Sequence, residues 1–442
     1  MDMQQQLESL AASAFGALQP GEDATLSYSG EVTDFARLNR GGVRQAGTVD
    51  QADVVVRILR GRRHAARSLT LTGQDDAGRV AAAVADLREL LDLVPEDPHL
   101  SVHTAPVQQV SILGDAPDGP EAVATVLDMA AAGGSRPDLV GIWGSGRIGR
   151  GFASSWGQRS WFERGTWSLD FCLVHAGDKA VKRTVSGLAW DPARVQAAMD
   201  TARQELIALG RPVKTIAPGE YRAWLAPSAV DEVWSLLRRE FGERGRQTKT
   251  SAVMAAIEGR QRFSPLVTAR EAVGTGVAPP FSGDGWPRPD AIDLVRDGAV
   301  AGSLVSSRSA KEYGVACNGA AAWESAEALD LSPGTLGDAD VLSTLGTGLR
   351  ISDLWYLNYS DRQACRVTGM TRFATFWVED GEIVAPLQVM RFDDSAIRLF
   401  GDGLVALGAD AELGMSTSTY FRRATGSTRV PGALVEGFKF TL

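Results

Sequence analysis

Apolar residues recur at helical spacing in several segments of the first half of the chain. The strongest pattern covers residues 75–93, where an acidic start is followed by an apolar stripe with a period of about 3.6 residues. The opening segment MDMQQQLESLAASAFGAL is polar and acidic before its apolar residues begin, which favours an amphipathic helix over a secretory signal. The same spacing predicts two further helices, over EAVATVLDMAAA and ARVQAAMDTARQELIAL.

Alternating apolar and polar residues predict strands between these helices. ATLSYSG and DFARL are predicted as two strands, ADVVVRILRGRRHAARSLTLTG as a hairpin, and WSLDFCLVHAGDKAVKRTVSGLAW as two strands around the turn AGDK. In the second half, the pattern indicates one convincing helix over residues 228–241 and otherwise mostly strands. RDGAV and VEDGEIV place Asp-Gly between alternating apolar residues, which is a strong hairpin signal.

The chain is expected to form two domains of the α+β class. A length of 442 residues favours two domains over one, and each would be large enough to bury its own core. The segment LGRPVKTIAPGE, near residue 215, is rich in turn residues and is the predicted linker. We therefore predict an N-terminal domain of mixed helix and sheet over residues 1–215 and a large β-rich C-terminal domain over residues 216–442.

Composition and charge narrow the class of protein. Hydrophobic residues at 44% and charged residues at 22% are typical of a globular protein. A net charge of -9 argues against a general nucleic-acid binder, and no apolar run approaches the roughly 18 residues of a membrane span. Cys172, Cys317 and Cys365 are widely spaced and odd in number, so we expect reduced thiols and a cytoplasmic location.

The segment GSGRIG at 144–149 has the glycine spacing of a dinucleotide-binding loop and follows the plausible strand PDLVGIW. Such a loop also needs a helix directly after it, because the amides of the helix N-terminus meet the pyrophosphate. The sequence that follows, RGFASSWGQRSWFERGTW, has no helical stripe. We therefore predict a loop and strand here and no nucleotide cofactor.

The four histidines offer no convincing metal site. His99 and His103 have the spacing of zinc ligands on a helix, but Pro98 and Pro106 bracket them. In an extended segment their rings would lie about 13 Å apart, so we expect ordinary surface or strand histidines. No histidine follows His175, and the strand-rich half therefore cannot form a histidine-based triad or metal site from its own residues.

The polar segment NYSDRQACRVTG, residues 358–369, concentrates charged and reactive side chains in the second half. Cys365 could act as a nucleophile, but a cysteine nucleophile generally needs a nearby base, usually histidine. Arg362 and Arg366 would lower its pKa but cannot accept its proton. A structural thiol is favoured, and a cysteine hydrolase that borrows a histidine from the first half stays open as the weaker alternative.

The stretch LGTGLRISDLWYLNYSDRQACRVTGMTRFATFWVEDGEIVAPLQVMRFDDS closely resembles the C-terminal domain of the TldD/PmbA (TldD/TldE) family. The resemblance extends to GSGRIGRGFASSWGQRSWFERGTWSLDF, SLVSSRSAKEYG and the closing PGALVEGFKFTL, and residues 341–395 are its most specific part. It implies an α+β N-terminal domain followed by a large β-rich C-terminal domain, which we expect to be an antiparallel, barrel-like sheet.

The resemblance also implies an activity for the family. Its catalytic members look like zinc peptidases in which an HExxxH helix begins the C-terminal domain and a late cysteine completes the metal site. They work paired with a homologous, metal-free TldE/PmbA-type subunit, and the pair encloses a cavity that admits unfolded peptides.

This sequence departs from the catalytic pattern at the zinc helix. An ungapped match places Trp234 and Arg239 at the two histidines and Ser235 at the glutamate. Neither Trp nor Arg can ligate zinc, and the final stretch ELGMSTSTYFRRATGSTRVPGAL contains no cysteine. We therefore interpret the chain as TldE/PmbA-like, without catalytic residues or a cofactor of its own, and expect zinc in a partner subunit.

These observations lead to a hypothesis for function. The chain would be a non-catalytic subunit of a heterodimeric zinc metallopeptidase that cleaves unfolded or leader peptides, with a TldD-type zinc-bearing homologue as its partner. Tyr359, Arg362 and Arg372 are the predicted peptide-binding residues, although an internal hydrogen-bond network is an equal alternative for each. A stand-alone peptide-binding homodimer is the second hypothesis. Neither hypothesis involves nucleic acid or a membrane.

Overall fold

The computed structural model describes residues 2–132, 138–176, 179–418 and 421–441. The protein is an α+β fold built on two sheets, as the sequence predicts. The elements around the first sheet are, in chain order, α1 (Met3–Gly16), β1 (Asp23–Asn39), β2 (Gly42–Arg60), β3 (Arg63–Thr70), α2 (Asp76–Leu91), β4 (Gln108–Leu113), α3 (Gly119–Ala131), β5 (Asp138–Ser154), β6 (Arg159–Ala176), β7 (Lys179–Gly187) and α4 (Pro192–Leu209).

The first sheet has the strand order β3-β2-β1-β5-β6-β4. Strand β4 pairs with the first part of β6, and β7 pairs with the remaining part. Helices α1 and α2 pack on one face over an apolar cluster that includes Leu7, Val84 and Trp161. Glycines of the segment GSGRIGRG lie inside β5, where α1 approaches closely, and no helix follows them. A Cβ atom at Gly151 would lie 2.4 Å from Leu7 Cδ2. The strand interpretation of this segment is confirmed, and Gly149 and Gly151 allow the close approach of α1.

The second sheet begins at β8 and contains most of the remaining strands. Its elements are β8 (Gly219–Leu225), α5 (Pro227–Leu237), α6 (Glu243–Gln247), α7 (Met254–Ile257), β9 (Ala269–Glu271), β10 (Ile292–Arg296), β11 (Ala299–Val300), α8 (Ser307–Tyr313), β12 (Ala328–Leu331), a 3-10 turn (Asp338–Asp340), α9 (Val341–Leu345), β13 (Gly348–Asp361), β14 (Arg366–Glu379), β15 (Glu382–Pro386), β16 (Arg391–Ser395), α10 (Ala396–Leu399), β17 (Leu404–Met415) and β18 (Ser427–Phe440).

Five strands of this sheet close on themselves. The ladder runs β18-β16-β14-β13-β8, and β8 pairs again with β18, so the hydrogen bonds form a closed, barrel-like circuit. Most of these pairings are antiparallel, and the β8–β13 pairing is parallel. Helix α5 packs its apolar face into the core formed by these strands, where Trp234, Phe392 and Phe438 are buried.

Local sequence signals gave the hairpins correctly. The turns Asp297-Gly298 and Asp380-Gly381 connect β10 to β11 and β14 to β15, and all four residues have positive φ. Both Asp-Gly turns are therefore confirmed. The β6–β7 pairing is also confirmed, while residues 177 and 178 of its predicted AGDK turn lie outside the described residues.

Two predicted boundaries are wrong. ATLSYSG and DFARL belong to one strand, β1, because this strand pairs along nearly its whole length with both β2 and β5. Helix α5 ends at Leu237 and does not continue to residue 241. Beyond it, the backbone N–H of Glu240 donates to the carbonyl oxygen of Leu237 at 2.8 Å, three residues back, in place of the helical bond four residues back. The Glu240 carboxylate accepts the backbone N–H of Ala252 at 2.7 Å.

The two sheets pack against each other through apolar and polar contacts. Phe152 and Phe162 of the first sheet contact Phe281, and Phe376 of β14 joins the apolar cluster beneath α3 and α4. The carboxylate of Glu205 on α4 lies 2.6 Å from Arg350 of β13. Because the interface is extensive, the domain boundary near residue 215 stays a prediction. No helix within the described ranges is long and apolar enough to cross a membrane.

Candidate functional site between the two sheets

One face of β6 and β7 is polar and is turned toward the second sheet. Asp170 and Thr184 are opposite each other in the ladder, and the Thr184 hydroxyl donates to the Asp170 carboxylate at 3.0 Å. Lys182 Nζ lies 3.9 Å from the same carboxylate. Ser186 continues this face, because side chains alternate along a strand, and its hydroxyl donates to the carbonyl oxygen of Leu413 on β17.

Helix α5 and strand β13 add three carboxyl groups to this interface. Ser228, in the first turn of α5, donates to Asp353 Oδ1 at 2.6 Å, and Asp353 is only 5% exposed. Asp353 Oδ2 and Asp231 Oδ1 are buried without a hydrogen-bond partner among the described residues. We call Asp170, Lys182, Asp231, Glu232 and Asp353 the acidic cluster.

Burial dominates the ionisation of the acidic cluster. It raises the pKa of Glu232 to about 7, and the negative charges of Asp231 and Asp353 add to this effect while Lys182 opposes it. Burial also raises the pKa of Asp231 and of Asp353, although the Ser228 hydrogen bond works in the opposite direction at Asp353. Glu232 can therefore take up or release a proton near neutral pH, which is unusual for a glutamate and marks this interface as a candidate functional site.

The residues at this interface do not fit a zinc ion. Within the described residues, no group of three His, Cys, Asp or Glu side chains is placed to hold a metal. Neither His99 nor His103 lies in a helix or strand. The His103 ring instead contacts Gln158, with Nδ1 and Oε1 3.2 Å apart. The chemistry that the acidic cluster offers is proton uptake and hydrogen bonding.

The three positions matched to the zinc motif do not face a common site. Trp234 is fully buried, with its ring centroid 5.9 Å from that of Phe263 and 5.5 Å from that of Phe400. Ser235 Oγ donates to the carbonyl oxygen of Glu232 at 2.7 Å. Arg239 is exposed and lies beyond the end of α5. The first of these positions stabilises the core, and none presents a metal ligand.

Two of the three predicted peptide-binding residues lie together on a buried carboxylate. Arg362 Nη2 is 2.8 Å from Glu240 Oε2, and the Tyr359 hydroxyl donates to Glu240 Oε1 at 3.2 Å. The Arg362 guanidinium also lies over the Tyr359 ring at 5.1 Å. Glu240 is almost completely buried, so these contacts hold the turn after α5 against the β13–β14 hairpin. The contacts of Tyr359 and Arg362 therefore correspond to an internal hydrogen-bond network, which was the alternative to peptide binding for these two residues.

Arg372 lies apart from this network, in an exposed group of aromatic side chains. Its guanidinium is 4.9 Å from the centroid of the Trp355 ring and 5.4 Å from that of Phe373. It forms no ion pair with the described residues. Tyr356 is 81% exposed, and both Tyr356 and Phe373 have positive φ at irregularities of the β13–β14 ladder. We call Trp355, Tyr356, Arg372 and Phe373 the aromatic patch.

The aromatic patch and the acidic cluster are neighbours. Lys182 Nζ lies 6.0 Å from the centroid of the Phe373 ring. The pKa of Cys172 on β6 responds to Asp170, Lys182, Asp353 and Arg372, although burial is the main reason that it is raised to about 11. Bulky residues with positive φ are strained, and such strain persists where the surrounding structure imposes it, often at binding sites. A partly exposed aromatic surface, whose cation has no ion pair within the described residues, therefore borders a group of acids that are partly or fully buried.

Cys365 has the environment of a structural thiol. It is fully buried at the end of the β13–β14 hairpin, and burial raises its pKa to about 12, with the Glu240 charge adding to the effect. A thiol of this kind is protonated at neutral pH and is a poor nucleophile. The buried position of Cys365 agrees with the predicted structural thiol.

Sequence reasoning missed the acids of the cluster, although a signal was present. Asp353 interrupts the apolar run of β13 between the buried residues Ile351 and Leu354. Asp231 and Glu232 lie between the buried residues of α5 at positions where polar residues are ordinary, so they gave no such signal. A charged residue inside a buried stretch is rare unless it has a partner or a function. Their proximity to Lys182 depends on how the two sheets pack, which no local pattern specifies.

Comparison with known protein families places the second half of the chain in a metallopeptidase class. Residues 218–442, just over half of the chain, match the sequence model described as PmbA/TldA metallopeptidase C-terminal domain. The chain therefore belongs to the PmbA/TldD family. A search among curated proteins found no significant match.

Solved structures share the whole fold at low sequence identity. One is TldE from Thermococcus kodakarensis, with a TM-score of 0.77, 14% identity, and coverage of 99% of this chain and 100% of that chain. Another is a proposed modulator of a DNA gyrase from Thermotoga maritima, also with a TM-score of 0.77 and 14% identity, covering 98% and 100%. A third, from Bacteroides thetaiotaomicron and described in similar terms, has a TM-score of 0.75 and 15% identity, covering 100% and 99%. At these identities the likeness concerns the fold alone.

Proposed function

We propose that this chain is a TldE-type, non-catalytic subunit of a heterodimeric zinc metallopeptidase in the cytoplasm. A TldD-type homologue would carry the zinc ion, and the two chains would form the walls of one cavity for unfolded or leader peptides. In this arrangement the present chain binds and orients peptide, and the partner supplies the hydrolytic centre.

The observation that carries this proposal is that helix α5 has a buried tryptophan at the position matched to the first zinc histidine. The ungapped match sets Trp234 at the first zinc histidine, and Trp234 packs between Phe263 and Phe400 in the core. A buried indole at this place cannot ligate a metal, because its N–H is only a donor. Helix α5 lies against the closed strand circuit and has a structural role there.

The aromatic patch supports a role in peptide binding. Trp355 and Tyr356 present exposed rings, Phe373 packs against Trp355 and is partly exposed, and Arg372 has no carboxylate partner among the described residues. Exposed aromatic and arginine side chains are the residue types that dominate binding energy at protein and peptide interfaces. We propose that Arg372 contacts the peptide directly, whereas Tyr359 and Arg362 hold the wall through Glu240.

Copurification tests this proposal. The tagged chain, purified from its native cells and analysed by mass spectrometry, is expected to bring down a homologue with an HExxxH motif in about equal amount. A partner in which both motif histidines are replaced by alanine serves as the matched control, and it should form the complex without peptidase activity. Recovery of the tagged chain only as a homodimer, with the homologue present in the lysate, would contradict the proposal.

A further inference from the structure

A second polar region lies between the two sheets, on the same face of β6 as the acidic cluster but toward its other end. Arg164, Thr166 and Ser168 of β6 line it from the first sheet, and Arg423 and Thr425 line it from the segment before β18. We call these five residues the arginine cleft. Arg164 is 5% exposed and Arg423 is 8% exposed, so both guanidinium groups are removed from bulk water.

Arg423 has an incomplete set of partners. Its Nη2 donates to the carbonyl oxygen of Thr166 at 3.1 Å and to the Thr166 hydroxyl. Its Nη1 is buried without a partner among the described residues. Burial lowers the pKa of Arg423 to about 10, which reflects a guanidinium that has lost water without gaining an ion pair.

Arg164 is in the same condition. Its Nη1 and Nη2 donate to uncharged oxygens, namely the carbonyls of Ser111 and Glu163 and the hydroxyl of Ser111. Its Nε has no partner within the part of the chain that the structure describes. Burial alone lowers its pKa to about 10. Both arginines therefore line the same cleft and have N–H groups without a partner among the described residues.

The surrounding charges do not balance these arginines. The buried carboxylate of Glu31 accepts the Thr33 hydroxyl, the Gln51 amide and the backbone N–H of Arg423, and among the described residues it forms no ion pair with a guanidinium. Its charge only partly offsets the effect of burial on the pKa of Arg423. Arg150 adds a further cation, with its Nη2 3.2 Å from the carbonyl oxygen of Arg423. Buried charges are normally paired, because an unpaired one costs several kcal/mol in lost hydration.

We propose that the arginine cleft is a binding site for a carboxylate group, which enters between Arg164 and Arg423 and accepts their unused N–H groups. The planar guanidinium donors match the two oxygens of a carboxylate, and the hydroxyls of Thr166, Ser168 and Thr425 can donate to it as well. Ile148, Val277 and Met415 complete the lining with apolar surface, which suits a carboxylate borne on a carbon chain better than a phosphate. This inference does not depend on the proposed peptidase role.

The carboxylate could be that of a small organic acid or that of a peptide. Binding would be measured with the full-length protein as the rise in thermal midpoint with sodium acetate or succinate, at an ionic strength kept constant with chloride. The same protein would be titrated by fluorescence anisotropy with a labelled unstructured peptide that has a free C-terminal carboxylate, and with the same peptide amidated. A peptide source predicts binding at least about tenfold weaker after amidation, and a small-acid source predicts stabilisation by acetate or succinate without discrimination between the peptides.

Variants separate the cleft from general charge effects. Arg423→Gln is expected to weaken carboxylate binding at least about tenfold, because one charged donor pair is lost. Arg147→Gln removes an equal charge from an exposed arginine of β5 and should leave binding unchanged. If Arg423→Gln does not fold, Thr425→Ile narrows the cleft with both arginines in place and should weaken binding by a similar factor. Absence of any carboxylate effect, an equal loss with Arg147→Gln, or stabilisation by inorganic phosphate only would overturn the proposal.

Discussion

Replacing Glu232 by glutamine tests whether the acidic cluster is under electrostatic strain. Its pKa is raised from the usual 4.5 to about 7, mainly by burial and then by Asp231 and Asp353. Folding therefore favours the protonated form. The stability that Glu232 contributes is complete below pH 4.5 and is lost as the pH rises through about 7. The total change corresponds to about 3 kcal/mol, because one pKa unit is worth about 1.4 kcal/mol.

Glutamine has the shape of the protonated glutamate and cannot ionise. Glu232→Gln is therefore expected to have nearly the stability of the wild type at pH 5, and to exceed it at pH 8. The gain from pH 5 to pH 8 is expected to be about 2–3 kcal/mol, since a small part of the effect is already present at pH 5. The difference in free energy of unfolding between variant and wild type should be largest above pH 7, where the wild-type side chain carries its buried charge.

The assay is urea unfolding followed by tryptophan fluorescence, with wild type and variant compared at pH 5 and pH 8 in the same salt. Glu89→Gln, on the exposed face of α2, is the matched control and should give a difference that is the same at both pH values. A Glu232→Gln difference that does not change with pH, or a loss of stability that grows at pH 8, would refute the argument.

The remaining predictions concern metal, thiol and arginine side chains. The purified chain is expected to retain no zinc after dialysis, and elemental analysis close to one zinc per chain would contradict its non-catalytic assignment. Cys365→Ser should leave the peptidase activity of the assembled complex largely intact, whereas a loss of about a thousandfold with folding unchanged would support a cysteine hydrolase. Arg362→Ala should lower the free energy of unfolding by about 1–2 kcal/mol in a urea titration, because the buried Glu240 loses its cation, and Arg372→Ala by less than about 0.5 kcal/mol. Equal losses would be inconsistent with their different contacts. In the complex, Arg372→Ala should raise the apparent KM more than it lowers kcat, and a pure kcat effect in steady-state kinetics would argue against peptide binding.

Local sequence patterns predicted the elements that depend on local chemistry. The helices α2, α3 and α4 have apolar stripes and aspartate N-caps, and the Asp-Gly hairpins have the positive φ angles that those residues adopt readily. The pattern failed at the end of α5, where residues 238–241 keep a helical composition. The chain turns there through a backbone bond from Glu240 to Leu237, and the Glu240 side chain bonds to Ala252, a contact between segments that periodicity does not reveal.

The candidate site was less accessible to sequence reasoning than the fold. Tyr359, Arg362 and Arg372 lie on one hairpin and were all predicted to bind peptide, yet Arg362 pairs with Glu240 while Arg372 lies over Trp355. The irregularities of the β13–β14 ladder change which way side chains point, so spacing along the strand no longer gives their direction. The acidic cluster and the arginine cleft both combine residues from the two sheets, and their proximity follows from packing at long range.

The central claim is that this chain completes a peptidase whose metal belongs to another subunit. The most direct measurement is hydrolysis of an unstructured peptide by each purified chain alone and by an equimolar mixture, with each chain treated separately with a chelator before mixing. The account predicts negligible activity for either chain alone and activity on mixing. Chelator treatment of the partner should abolish that activity, whereas treatment of this chain should have no effect. A partner that cleaves the peptide equally well without this chain would contradict the shared-cavity account, and so would loss of activity after chelation of this chain only.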